Sequence, residues 1–121
     1  MKLTEIDCEF SVCKLNSIDQ VNLMREYVFL SKTTDEISLV CETKYIPSGA
    51  VAYERGWKAL KVSGILGFSM IGVIAKISNI LANEDISIFV VSTYNTDYIL
   101  FKAENHEKAC RALAHNGYVI V

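Results

Sequence analysis

No run of a single charge sign marks this chain. Twelve basic and fourteen acidic residues leave a formal net charge of −2, with both signs scattered. A nucleic-acid partner would call for a basic stripe, so that class is not expected. A membrane span is missing too, because the longest apolar stretch, 71–91, is broken by Lys76, Glu84 and Asp85. The opening MKLTEIDCEF carries acidic residues where a signal peptide needs its apolar segment. The expectation is a soluble cytoplasmic protein. Four cysteines, at 8, 13, 41 and 110, form no CxxC pair. They read as reduced, small buried hydrophobes.

Catalytic signatures are also lacking. No histidine stands with a nucleophile and an orienting acid, no GxSxG occurs, and the glycine-rich stretch is neither a Walker nor a dinucleotide pattern. His106 and Cys110 have the four-residue spacing of two ligands on one helical face, but His115 lies five beyond Cys110 and adds no third. No catalytic residue, metal site or cofactor is expected, and the chain reads as a non-enzyme.

What is present is a well-patterned apolar chain. Of 121 residues, 51% are hydrophobic, enough to exclude disorder and to build one compact domain or two very small ones sharing a core. EFSVCKL (9–15) alternates as a strand. NSIDQVNLM then places Ser17 three residues before Gln20, a capping box, with Ile18, Val21 and Met24 forming the apolar side of a short helix. YVFLSKT and EISLVCE, split at Thr34-Asp35, read as a hairpin. Residues 43–56 hold the only proline and a Ser-Gly pair, and read as a connector.

After it, WKALKVSG makes a strand, and Val73, Ile74, Ile77, Ile80 and Leu81 recur at helical spacing between about Met70 and Glu84. DISIFVVST (85–93) is the apolar run expected of a central strand, with TDYILFKA (96–103) as its hairpin partner. A second helix spans 105–117, with Asn105 as N-cap and Gly117 as its stop, before a last strand YVIV. The order βαββαβ is ferredoxin-like, and the first part repeats its opening four elements. The chain therefore divides into a first, incomplete unit with connector (1–56) and a second, complete one (57–121). The fold class is α+β, built as tandem ferredoxin-like βαββ(αβ) units whose antiparallel sheets carry helices on one face.

The run WKALKVSGILGFSMIGVIAKISNILANEDISIFVVSTYNTDYILFKAE, 57–104, resembles the ACT domain family. It is most similar to tandem-ACT proteins such as aspartokinase regulatory regions and the cytosolic arginine sensors of animals. The likeness lies in the succession of strand, glycine loop, helix, strand ending in Ser-Thr, and a Thr-Asp-aromatic turn. It extends over 57–121 and reaches 9–42 only by element order. The first part departs from the pattern by lacking a second helix and closing strand of its own.

The resemblance implies a small regulatory module that binds an amino acid or similar ligand, forms a homodimer and acts on a partner protein. A helix N-terminus offers unpaired amides and partial positive charge to a carboxylate. Gly72, read in the first turn of the helix, would let a ligand approach those amides. By position in the family's ligand loop, Ser69, Met70, Ile71 and Gly72 are the binding residues. The competing reading of the same stretch is plain capping, with Ser69 as N-cap and Phe68 stapled to Val73. In STYNTDY (92–98), Asp97 would accept a ligand ammonium or guanidinium, and Ser92 and Thr93 would add hydroxyls. The competing reading there is a hairpin turn. An alternative for the whole molecule is a dimerisation module that binds nothing small. It would have no need of Gly72.

Overall fold

Two strands of unequal length carry most of the architecture. The computed structural model describes residues 1–63 and 71–121. Among these, β1 spans Lys2–Leu15, β2 Phe29–Lys32, β3 Ile37–Glu42, β4 Ala52–Val62, β5 Ile88–Ser92, β6 Asp97–Lys102 and β7 Val119–Ile120. Helix α1 covers Val73–Ala82 and α2 covers His106–His115. The strands hydrogen-bond in the order β2-β3-β1-β4-β6-β5, with β7 on β1. The class is α+β.

The chain separates into two compact units, Met1–Asp7 with Lys58–Val121 and Cys8–Trp57. The division thus falls inside β1 and β4. The second unit is read from the sequence as 57–121, and the compact unit that holds Lys58–Val121 also takes in Met1–Asp7.

In the larger unit the order βαββαβ is present from β4 to β7. Its core gathers Leu3, Leu60, Val62, Ile77, Leu81, Ile86, Ile99, Phe101, Ala109 and Leu113. Each helix contributes two fully buried residues a turn apart, Ile77 and Leu81 from α1 and Ala109 and Leu113 from α2, the spacing that puts side chains on one helical face. β7 joins the first half of β1 in parallel, Lys2 opposite Val119 and Leu3 opposite Ile120. That pair departs from the expected all-antiparallel sheet. β5 pairs antiparallel with β6, Ser92 facing Asp97. β5 stands at the end of the strand order, although its continuous apolar sequence suggested a central position.

α2 ends as its sequence implies. Gly117 turns left-handed at φ +93°, and the Gly117 and Tyr118 amides return to the Ala114 and Leu113 carbonyls, both at 3.1 Å, which is a Schellman closure. α1 begins later than the periodicity suggested. Its N-cap is Gly72 at φ +79°, without a side-chain cap, so Gly72 precedes the first turn instead of lying in it. The capping reading of Phe68 and Ser69 lies, with Met70, outside the described residues. At α2 the Asn105 side chain makes no cap bond, because a 3-10 turn, Ala103–Asn105, leads into the helix.

The smaller unit repeats one segment of the larger. β3 and the 3-10 turn Thr43–Tyr45 that follows it recur sixty positions later as β6 and Ala103–Asn105, and the two strands share one sequence of buried and half-buried positions. Its inner cluster is Cys13, Leu15, Leu39 and Cys41, covered by Val21, Val28, Ile37, Ile46 and Ala50. Irregular segments do here what helices do in the larger unit. The capping box of Ser17 and Gln20 is formed, but it closes only a 3-10 turn, Ile18–Gln20. Val21 is already extended and Met24 is 91% exposed, so the expected helix with Ile18, Val21 and Met24 inward does not form. The connector is also shorter than expected, because β4 starts at Ala52. Cys13 and Cys41 are buried as expected, whereas Cys8 and Cys110 are half-buried.

Candidate ligand site

The residues expected to hold a ligand come from the entrance of α1 and from the β5–β6 hairpin. At the entrance, the amide of Lys76 donates to the Gly72 carbonyl at 3.0 Å, the first bond of the helical ladder. The amides of Val73, Ile74 and Ala75 therefore have no acceptor within the helix, and Gly72 supplies no side chain to cap them. A methyl group added to Gly72 would meet nothing within 4 Å. The glycine is required by its left-handed backbone and leaves open space beside the helix end. Ile71 is 94% exposed. It shares a hollow of about 370 Å³ with Met1, Val73, Lys76, Asn116, Gly117 and Tyr118, to which Lys76 brings an ammonium.

The hairpin is organised by its threonines. The Thr93 amide donates to the Thr96 carbonyl at 2.8 Å, the Thr93 hydroxyl donates to the same carbonyl at 3.1 Å, and the Thr96 amide returns to the Thr93 hydroxyl at 3.3 Å. The Thr93 hydroxyl is thus used by the turn itself. The same device holds the earlier hairpin, where Thr33 accepts from the Asp35 and Glu36 amides at 3.1 and 3.2 Å. Thr96 is buried, and its hydroxyl donates to the Val62 carbonyl at 2.6 Å. The hairpin is thereby tied to the last residue of β4. Asp97 is half-buried and Ser92, its cross-strand neighbour, is exposed. Ser92, Thr93 and Asp97 do not line the hollow beside Ile71. Ser69 and Met70 lie outside the described residues.

Sequence spacing missed one cluster. Glu5 of β1 brings a carboxylate against His106 and Cys110 of α2, about a hundred positions away in the chain. The His106–Cys110 spacing was visible in the sequence, but no local pattern points to Glu5. Burial, with the Glu5 carboxylate beside it, pushes the Cys110 thiol up to about 11. In the smaller unit, burial and the neighbouring Cys13 push Cys41 up to about 12.

A family model described as "ACT domain" matches residues 52–115. No curated protein matches the sequence. Among solved structures, the protein Atu0741 from Agrobacterium tumefaciens is similar at a TM-score of 0.86 and 27% identity, over 99% of this chain and 91% of that one. VC0802 from Vibrio cholerae, described as a protein of unknown function and possible transport protein, is similar at 0.74 and 19%, over 94% and 88%. The ligand-free regulatory subunit of aspartate kinase from Thermus thermophilus shares the fold at 0.66 and 11% identity, over 93% and 95%.

Proposed function

The chain belongs to the ACT domain family, and on that premise we propose that it is a non-enzymatic sensor that binds an amino acid or similar small molecule at its glycine loop. A regulatory, small-molecule-binding role in general accords with the family and with the aspartate kinase regulatory subunit whose fold it shares. The observation that carries the finer reading is Gly72. It caps α1 with a left-handed backbone and no side chain, which leaves first-turn amides to an incoming carboxylate. By the family resemblance Ser69, Met70 and Ile71 add the neighbouring ligand contacts. Asp97, with Ser92 across the strand pair, takes the ammonium, and Thr93 holds the turn that presents them.

The same reading makes the molecule a tandem of a complete and an abbreviated ACT unit that assembles as a homodimer in the cytoplasm. β5 ends the strand order with Ile88, Phe89, Val90 and Val91 all half-buried. An apolar edge of this kind is a template for pairing with a second sheet. A ligand at such an interface strengthens assembly by its differential affinity for the paired state, and an associated partner protein would read that change.

Thermal unfolding in the presence of each of the twenty amino acids tests the proposal. A ligand at a hundred times its dissociation constant adds about 2.7 kcal/mol. One or two compounds should raise the transition, and Gly72→Val and Asp97→Ala should each abolish the rise. A well-folded dimer that responds to none of them would instead be the ligand-free dimerisation module.

A further inference from the structure

We infer that Glu5, His106 and Cys110 form a three-ligand site for a zinc-class divalent cation. The ring nitrogen His106 Nε2 lies 2.8 Å from Glu5 Oε1 and 3.6 Å from Cys110 Sγ. Cys110 Sγ is in turn 3.6 Å from the same Glu5 oxygen. One nitrogen, one oxygen and one sulfur thus converge as a triangle, with each residue offering a single donor atom. A hydrolytic triad is arranged otherwise, with the carboxylate on one imidazole nitrogen and the nucleophile on the other. Here both neighbours crowd Nε2.

All three distances are hydrogen-bond or ion-pair lengths, and the two to sulfur also match the edges of a tetrahedral metal site. Zinc bonds of about 2.0–2.1 Å to nitrogen and oxygen and 2.3 Å to sulfur give tetrahedral edges of about 3.5 Å to sulfur and about 3.3 Å between nitrogen and oxygen. The two sulfur edges already have that length. The nitrogen–oxygen edge needs to open by about half an ångström, which side-chain torsion supplies. Mixed nitrogen, oxygen and thiolate donors in a tetrahedral arrangement select zinc over magnesium or calcium.

The supports are rigid. His106 and Cys110 are one turn apart on α2, and the His106 ring lies against Phe101, centroids 6.2 Å apart. The backbone amide of Glu5 donates to the Val121 carbonyl at 2.8 Å, which fixes that part of β1. The side chains of His106 and Glu5 are 34% and 45% exposed, so a cation can enter from solvent. Three protein ligands leave the fourth position to water or an incoming donor. The inference rests on these three residues alone and is independent of the glycine loop.

Reduced full-length protein titrated with zinc, against a chromophoric chelator, and separately with cobalt(II) provides the test. The expected result is one cation per chain and, with cobalt, a sulfur-to-metal charge-transfer band in the near ultraviolet. Cys110→Ser should remove that band, and His106→Ala and Glu5→Gln should each weaken zinc binding by roughly tenfold or more. Cys8→Ser should change neither readout. Because Cys110 is half-buried, the variant of exposed Glu5 and the His106 variant keep the test decisive if Cys110→Ser folds poorly. Absence of stoichiometric binding, or a band that survives Cys110→Ser, would overturn the assignment and leave an ordinary Glu5–His106 ion pair.

Discussion

At Gly117 the backbone leaves α2 at φ +93° with open space around the position of a would-be Cβ. The cost of Gly117→Ala is therefore backbone strain alone, about 1–2 kcal/mol, to be read as a lower urea midpoint with an unchanged slope. Thr96 makes the opposite case, a buried side chain whose hydroxyl has one short bond, 2.6 Å to the Val62 carbonyl. Thr96→Val keeps the shape and removes the donor, and should cost about 1–3 kcal/mol by the same measurement. Cys41 carries a pH dependence. Folded, its thiol holds its proton to about 12, against an ordinary 9.0. The unfolded chain loses that proton first, so this contribution to stability is complete below pH 9 and is lost as pH rises toward 12. The difference in unfolding free energy between the parent and Cys41→Ala should shrink across that window, since the packing lost with the sulfur does not titrate. Of the candidate site, a glycine at the mouth of α1 was legible, but Gly72 was read in the first turn and stands instead at the N-cap. Thr93 looked like a ligand because its hydroxyl had no evident duty, yet the turn uses it. Glu5 was illegible, since only tertiary folding brings β1 against α2.

Periodicity located most elements, and their ends followed from local conformations that the pattern does not carry. In α1 the stripe Ile77 and Leu81 is buried, while Lys76 and Asn79 are exposed. Ile77→Ala should cost about 2–5 kcal/mol, whereas Asn79→Ala should stay within about 0.5 kcal/mol. Parallel chemical denaturation of the two variants checks the contrast. The helix begins at Val73 because Gly72 turns left-handed, which no apolar spacing reveals. The capping box at Ser17 was legible and is formed, yet a cap does not make a helix. Val21 turns extended, its amide closing on the Ile18 carbonyl at 3.0 Å, and Val21 itself is recruited to the Cys13–Cys41 cluster. Tertiary packing overrode a local signal there.

Strand order belongs to the whole molecule and had no sequence signature. In a plain βαββαβ unit the closing strand lies beside the first, but here β7 pairs with β1, and β1 pairs with β4. The N-terminal residues thus complete a unit made chiefly by the C-terminal half. The run at 85–93 suggested a central strand, yet among the described residues β5 stands at the end of the strand order. Ile88 and Val90 pack on the core of the larger unit, so alternation sends Phe89 and Val91 to the other face of the sheet. Val91→Lys places a charge on that face without touching the packed one, and lysine on an edge strand opposes pairing with a second sheet. If β5 forms the dimer interface, sedimentation equilibrium should show the parent at twice the 13.5 kDa chain mass and the variant at or near the single-chain mass, with unchanged circular dichroism. A parent that sediments as a single chain would remove the dimer. A variant that remains paired would move the interface away from β5, and the glycine-loop ligand would then have to act through another surface.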